Sequence, residues 1–189
     1  MKRRLAWTLC LVALALSWGA VSAVAKTINI SGTFEGDSTL TPTGSPGIYT
    51  QDFTGDGEDT LFGAFTPSST STIDFSNPPN IMISDAMFTE TFRYGTLFGT
   101  ASGSGTANGK GSATFSLDLV ITGGTGNFAG DTGKATLTGT LTRTSPTSLT
   151  ISNASYTGSL STVDEPSAAI LAGVSLVAIG FGFALRRIW

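Results

Sequence analysis

The sequence predicts an all-β fold, a single antiparallel β-barrel of about eight strands, with a two-sheet sandwich as the alternative. Residues 26–158 are rich in Thr, Ser and Gly, and their aromatic and β-branched residues recur at every second position, which is the period of a strand. No stretch of this segment shows the period of a helix. A closed barrel is preferred because long Thr-rich strands with few charges would otherwise leave open edges that pair with other chains.

The first half of this segment contains short strand patterns. Near its start, Ile28 and Ile30 alternate with polar residues up to Phe34, which predicts a first strand. Weaker patterns follow at residues 47–53, 61–65, 72–75 and 81–84. Turn-forming residues separate these patterns, so we expect hairpins between neighbouring strands.

The second half contains stronger patterns. A long strand is predicted over residues 88–99, with one face formed by Phe88, Phe92, Tyr94 and Phe98. The clearest strand covers residues 113–121, with one face formed by Ala113, Phe115, Leu117, Leu119 and Ile121. Two further strands are predicted over residues 134–141 and from Leu149 to about Tyr156. The residues between 101 and 112 are small and polar, and they predict a hairpin tip that turns at Asn108 and Gly109.

A glycine-rich turn joins two of these strands between Thr122 and Gly133. Glycine permits positive φ angles in a compact turn, and the one aromatic ring of the segment can pack back against the core. Because the turn leads into a strand and not a helix, it is not a phosphate-binding loop. The structural residues of the turn are Gly123, Gly124, Gly126, Phe128, Gly130 and Gly133.

This turn resembles the strand-connecting motif of the allene oxide cyclase and dirigent barrel families. In those families a Gly-Gly-Thr-Gly-x-Phe-x-Gly turn joins two long antiparallel strands. The resemblance implies an eight-stranded barrel. It covers the turn and the strands beside it, so it transfers no catalytic residue to this chain.

The C-terminal residues form three parts in a fixed order: an acidic Glu-Pro segment at residues 164–167, an uncharged run at residues 168–185, and a pair of arginines. An uncharged run of this length rises about 27 Å as a helix, close to the roughly 30 Å hydrocarbon core of a bilayer. The positive-inside rule keeps the arginine pair in the cytoplasm. The sorting and processing residues are Glu165, Pro166, Ser167, Arg186 and Arg187.

This layout resembles the PEP-CTERM sorting signal of exported Gram-negative proteins, in which a Pro-Glu-Pro motif precedes a hydrophobic helix and a short basic tail. Asp164 replaces the first proline. The resemblance implies an exosortase-type membrane protease as partner, an inner-membrane anchor in transit, and a mature form at the cell surface or outside the cell. It also implies a biofilm setting with exopolysaccharide. An ordinary C-terminal membrane anchor is the alternative.

The N-terminus has the pattern of a secretory signal peptide over residues 1–25. Basic residues at positions 2–4 precede an apolar stretch, and Ala23 and Ala25 form a small-x-small cleavage site. The single cysteine, Cys10, lies in the apolar stretch and would be removed with it. An uncleaved anchor is the alternative. At the other end, residues 159–163 are predicted to link the barrel to the sorting signal.

Composition excludes several chemistries. Residues 26–163 contain eleven acidic and five basic residues, a net charge of −6, which disfavours nucleic acid as a partner. They contain neither His nor Cys, which excludes disulfides, Cys or His zinc sites, and Ser-His or Cys-His nucleophile pairs. We expect no cofactor.

An acidic segment at residues 52–59 is the only metal candidate. Oxygen ligands at alternate residues, followed by Gly57, resemble the start of a calcium loop, but Gly63 occupies the position of the bidentate Glu. A solvated hairpin loop is the favoured interpretation, with a weak calcium site as the alternative. The candidate ligands are Asp52, Asp56, Glu58 and Asp59.

Glu90 shares the strand parity of its aromatic neighbours, so in a barrel it points inward, where a carboxylate needs a partner or a function. A bulge or a wet barrel mouth is the alternative. Three functions remain open. The favoured one is a non-enzymatic surface or extracellular-matrix protein; the others are a barrel that binds a small apolar ligand and a cyclase or isomerase that uses Glu90. An open cavity around Glu90 would favour the last two.

Overall fold

Eight antiparallel strands form a closed up-and-down barrel in the computed structural model, which describes residues 25–109 and 111–163. The strands are β1 (Ala25–Pro42), β2 (Ile48–Asp59), β3 (Gly63–Asn77), β4 (Asn80–Phe92), β5 (Gly95–Ala107), β6 (Ser112–Gly126), β7 (Thr132–Ser145) and β8 (Ser148–Val163). The predicted eight-stranded barrel is confirmed, and the sandwich alternative is wrong. In the described part of the chain, no helix has the length and apolar character needed to cross a membrane.

Hydrogen bonds join the first and last strands at both ends. At one end Thr162 Oγ1 donates to the Lys26 carbonyl oxygen at 3.2 Å, and toward the other end Thr150 Oγ1 donates to Asp37 Oδ1 at 2.8 Å. The remaining strands each pair with the next along the chain. β8 runs to Val163, through the residues that were predicted as a linker.

The barrel core follows the alternation of the strands. In β6, the predicted inward face is buried from Ala113 to Ile121, and the intervening side chains are exposed. This face was the clearest sequence pattern and is confirmed. The interior combines aliphatic residues of β6, β7 and β8 with aromatic residues of β2, β3 and β4.

Two strands are longer than their sequence patterns. β3 begins at Gly63, so it contains the end of the pattern at residues 61–65 and the whole pattern at residues 72–75. β4 joins the pattern at residues 81–84 to the start of the long predicted strand, residues 88–92. A β-bulge explains the break in β4: the register shifts between Ile83 and Ala86, and Asp85 has a φ of 52°. The bulge moves the inward face from odd to even positions, so one strand has the appearance of two.

The predicted strand over residues 88–99 is wrong, because a two-residue turn interrupts it. β4 ends at Phe92, Arg93 and Tyr94 form the turn, and β5 begins at Gly95. Tyr94 is 60% exposed, and the Arg93 guanidinium lies 5.1 Å from its ring centre. Phe98 is 38% exposed on the outer surface. Only Phe88 and Phe92 of the predicted aromatic face point inward. Residues 101–107, predicted as part of a hairpin tip, belong to β5, and the turn follows at Asn108 and Gly109.

The glycine-rich turn behaves as its sequence predicts. Gly126 and Gly130 have φ angles of 61° and 82°, which favour glycine. Phe128 is buried, with its ring centre 4.9 Å from that of Phe62 and 5.1 Å from that of Phe92. These rings fill one end of the barrel. Gly123, Gly124 and Gly133 lie in the adjoining strands, where Gly124 lets the backbone of Phe128 approach closely.

Candidate functional site

A cavity of about 70 Å³ lies inside the barrel. Its wall is mostly aliphatic and aromatic. The small side chains of Ala86 and Ala101 contribute to this wall, on neighbouring strands that pair at these two residues. Seven polar residues also line it: Gln51, Ser68, Ser69, Ser71, Thr89, Glu90 and Tyr156.

Glu90 brings the acidic group into this cavity. On β4 it pairs with Pro67 of β3 and Leu97 of β5, and its side chain is 9% exposed. No hydrogen bond or ion pair joins its carboxyl group to any described residue. Every fully buried side-chain nitrogen or oxygen of the described residues has a hydrogen-bond partner, so the Glu90 oxygens border open cavity space instead of packed protein.

The strand opposite Glu90 is also irregular. Pairing between β2 and β3 stops after Thr54 and Ser68 and resumes at Gly57 and Phe65. Pro67 lies within this gap and has no N–H to donate to the ladder. The wall of the cavity beside Glu90 is therefore less regularly hydrogen-bonded than the remainder of that strand pair.

Asp59 and Tyr156 form a fixed pair next to the cavity. Asp59, the last residue of β2, is 2% exposed, and its Oδ2 accepts a 2.6 Å hydrogen bond from the Tyr156 hydroxyl. Its Oδ1 accepts the N–H groups of Leu61 and Phe62 at 2.7 and 2.9 Å, which stabilises the β2–β3 turn. The carboxylate thus holds the tyrosine and the turn in one arrangement.

The buried position of Glu90 changes the pKa of its carboxyl group. Burial, and to a lesser extent the charge of Asp59, raise the pKa of Glu90 from its ordinary 4.5 to about 8. Burial also raises the pKa of Tyr156 above its usual range, and the neighbouring Glu90 and Asp59 add to this effect. At neutral pH, Glu90 is therefore a neutral carboxylic acid, and Tyr156 keeps its proton.

Two other polar residues at the wall, Gln51 and Ser71, have partners within the barrel. Gln51 Nε2 donates to Ser38 Oγ at 2.6 Å, and Ser71 Oγ donates to Gln51 Oε1 at 3.0 Å. These three side chains come from β2, β1 and β3 and form a satisfied network. Glu90 differs from them because no protein group stabilises its carboxyl.

The acidic segment does not form the predicted loop, and that prediction is wrong. Residues 52–59 belong to β2, where side chains alternate between the two faces. Asp52, Asp56 and Glu58 point outward and are exposed, whereas Asp59 points inward. The four candidate calcium ligands are thus divided between opposite faces of the barrel wall. Among residues 25–109 and 111–163, no three His, Cys, Asp or Glu side chains are grouped for a metal ion.

The remaining predicted sites fall mostly beyond the described range. Ala25 is the first residue of β1 and is exposed. Ala23 and the sorting and processing residues lie outside the described residues. Sequence reasoning found Glu90 by its parity but missed the Asp59–Tyr156 pair, because these residues lie 97 positions apart. Only the inward parity of a polar residue in a strand would have indicated Asp59.

Comparison with known proteins identifies no family for this chain, so the proposed function rests on the geometry of the site. No protein-family model matches the chain, and no match to it is found among curated proteins. Fold and site together define a small antiparallel barrel with an interior cavity and an unpartnered acid in its wall.

Gly32 provides a test of the Tyr156 position. A Cβ at Gly32 would lie 2.7 Å from both Cζ and the hydroxyl oxygen of Tyr156, so Gly32→Ala is expected to displace the ring and strain its bond to Asp59. We expect a loss of about 1–3 kcal/mol in unfolding free energy, typical of overpacked cores, and a change in the near-ultraviolet circular dichroism of tyrosine. Thr33→Ala, at the exposed neighbouring position, is the control and should change neither quantity. Unchanged stability in Gly32→Ala would contradict the described packing of Tyr156.

Proposed function

We propose that this protein is an exported barrel that binds a small, mostly apolar ligand in its interior, with Glu90 as the polar contact. The observation that carries the proposal is the Glu90 carboxyl group, which borders the cavity and has no partner among the described residues. Interiors of small barrels either fill with side chains or hold one small ligand, and an apolar cavity with a few convergent polar groups is the usual form of a ligand site.

The stability cost of Glu90 supports a functional role. Burying a carboxyl group without a partner is unfavourable, and an apolar side chain of similar size would fill this position without that cost. Groups with strongly shifted pKa values, located in cavities, are concentrated at functional sites. An acid at this position is therefore better explained by a ligand than by packing.

The size of the cavity limits the ligand. Its volume of about 70 Å³ is roughly half that of the 150 Å³ engineered cavity that admits benzene. The interior therefore has space only for a ligand smaller than benzene, or for the tip of a longer molecule. Aliphatic residues such as Leu117, Leu119 and Leu137 provide the apolar contacts.

Xenon binding tests whether the cavity accepts an apolar guest. We expect xenon under pressure to shift the methyl resonances of Leu117, Leu119 and Leu137, because apolar cavities bind this atom. Ala101→Leu places a larger side chain in the cavity wall and should remove these shifts. Ala64→Leu, on the exposed face of β3, is the matched control and should leave them unchanged. Absence of any shift in the unmodified protein would contradict the proposed function.

The proposed location rests on the termini. The signal-peptide pattern at residues 1–25 and the PEP-CTERM-like layout at residues 164–189 support export, an inner-membrane anchor in transit and cleavage by an exosortase-type protease. A mature form at the cell surface or in an exopolysaccharide matrix follows from that family resemblance.

Replacing both Glu165 and Pro166 with Ala tests the sorting proposal. The variant is expected to remain in the inner membrane, because the protease would lose its recognition motif while the hydrophobic run at residues 168–185 stays intact. Fractionation with intact-mass analysis would detect the uncut tail. Ser161→Ala with Thr162→Ala, upstream of the motif, is the control and should be processed normally. Normal release of the Glu165 and Pro166 variant would refute the sorting proposal.

A further inference from the structure

We propose that the ligand of this cavity is a small organic cation, an alkylammonium, which pairs with the Glu90 carboxylate and lies among the aromatic rings of the wall. This inference rests on the proposed ligand-binding function and adds the chemical class of the ligand.

The first argument is the charge of the site. Glu90 borders the cavity and Asp59 lies beside it, behind Tyr156, while no basic side chain contributes to the cavity wall in the described part of the chain. Asp59 accepts hydrogen bonds only from neutral donors. Burial and the charge of Asp59 keep Glu90 protonated in the free protein, and a guest that brings positive charge would allow it to ionise.

The basic residues of the barrel are located elsewhere. Arg93 stacks on Tyr94 at the outer surface, and Arg143 donates to the carbonyl oxygens of Ser145 and Pro146. Lys26 and Lys134 are exposed, as are many of the acidic residues. With a net charge of −6 over residues 26–163, the barrel attracts cations and repels anions before any contact is made.

The second argument is the aromatic lining. Phe34, Phe53, Phe88, Phe115 and Tyr156 all border the cavity. Aromatic faces attract ammonium groups, and the interaction strengthens when the cation is removed from water. The apolar part of an alkylammonium would contact the aliphatic side of the wall.

The third argument is the set of acceptors. An ammonium group has several N–H donors and no acceptor, so it requires oxygen atoms with free lone pairs. An ionised Glu90 offers two oxygens. Tyr156 donates its own proton to Asp59, which leaves its phenolic oxygen able to accept. These two residues therefore match a cation better than they match a second acid.

Proton release distinguishes a cation from a neutral ligand. The titratable groups that face Glu90 are Asp59 on β2 and Tyr156 on β8, and the charge of Asp59 raises the cost of a charge at Glu90 while Tyr156 stays neutral. With a pKa of about 8, Glu90 in the free protein is protonated at pH 6–7, so an ammonium ligand must displace that proton. Affinity for the cation should therefore rise about tenfold per pH unit up to pH 8. A neutral acceptor would instead bind the protonated acid and be lost above pH 8.

Titration calorimetry of the full chain with n-propylammonium and with 1-propanol, a neutral molecule of similar shape, tests this inference. At pH 6, 7 and 8, in two buffers of different ionisation enthalpy, we expect propylammonium to bind with release of about one proton at pH 6 and 7. Its affinity should exceed that of propanol at least tenfold at pH 8. Glu90→Gln should lower the affinity for propylammonium at least tenfold, and Glu58→Gln, an exposed control on β2, should not change it.

Three results would overturn the cation assignment. One is propanol binding as tightly as propylammonium, with affinity that falls as the pH rises through 8. Another is equal binding of propylammonium by the unmodified protein and Glu90→Gln. The last is absence of propylammonium binding at all three pH values. Xenon shifts separate these results from failure of the proposed function, because an accessible cavity without cation affinity would still bind xenon.

Discussion

Glu90→Gln is expected to increase the unfolding free energy at pH 7 by about 3 kcal/mol. The acid has a pKa of about 8 in the folded barrel and 4.5 as its ordinary value, so at pH 7 the unfolded chain releases a proton that the folded protein keeps. Each pH unit between the two pKa values costs about 1.4 kcal/mol of stability. Glutamine has nearly the same shape and no proton to release, so the variant avoids this cost.

The same prediction can be tested through the pH dependence of the unfolding free energy. A raised pKa in the folded state means that the contribution of Glu90 to stability is fully present below about pH 4.5 and is lost as pH rises to about 8. The unmodified protein should therefore become less stable over this range than Glu90→Gln does. Urea unfolding at pH 5, 6, 7 and 8 measures the difference. Glu58→Gln, with the same chemical change on the exposed face, should follow the unmodified protein. A stability difference that stays constant with pH would contradict the protonated state of Glu90.

Asp59→Ala is expected to destabilise the barrel by about 3 kcal/mol or more. The substitution removes the acceptor of three hydrogen bonds, from the Tyr156 hydroxyl and from the N–H groups of Leu61 and Phe62. Each buried donor left without a partner costs about 1–3 kcal/mol. Tyr156 would lose its fixed position at the cavity wall, since no other described group accepts its proton.

The control for this substitution is on the same strand. Asp52→Ala removes an exposed carboxylate from the outer face of β2 and should change stability by less than about 0.5 kcal/mol. Asp59→Asn keeps an oxygen for the two N–H groups and should lie between the two alanine variants. Because Asp59 helps raise the pKa of Glu90, Asp59→Asn should also lower that pKa. Equal unfolding midpoints for Asp59→Ala and Asp52→Ala would show that the three hydrogen bonds contribute little.

The sequence predicts this fold well where one rule acts over a whole strand. In β6 the alternation from Ala113 to Ile121 is unbroken, and the structure buries that face as expected. The glycine-rich turn was also predictable, because Gly126 and Gly130 occupy the positive φ positions that such a turn requires. Local chemistry was sufficient in both cases.

Other parts depend on contacts that no local pattern contains. The acidic and glycine-rich end of β2 resembles a loop by composition, yet pairing with β1 on one side and β3 on the other makes it a strand. The bulge at Asp85 changes the parity of β4 in mid-strand. Before the bulge the inward residues, such as Ile81, have odd numbers; after it Phe88, Glu90 and Phe92 point inward at even numbers. The alternation within residues 88–92 was therefore sufficient to predict that Glu90 points inward. An alternation extended from residues 81–84 would have placed Glu90 on the outer face.

The site itself was only half predictable. Glu90 was a candidate from its position among aromatic residues, but its partnerless state depends on residues of several other strands. Asp59 and Tyr156 meet only because the barrel closes and brings β2 and β8 to the same interior. The cavity depends in the same way on Ala86 and Ala101 meeting across β4 and β5.

A direct titration of the Glu90 carboxyl tests the central claim, which is that an unpartnered acid borders the cavity. Carbon-13 NMR of the glutamate side-chain carboxyls, with Glu90→Gln used to assign the resonance, measures the midpoint. The structure predicts a pKa of about 8 for Glu90. A midpoint near 4.5, the ordinary value for glutamate, would show that the carboxyl is solvated or paired, and both the ligand site and the cation assignment would lose their basis.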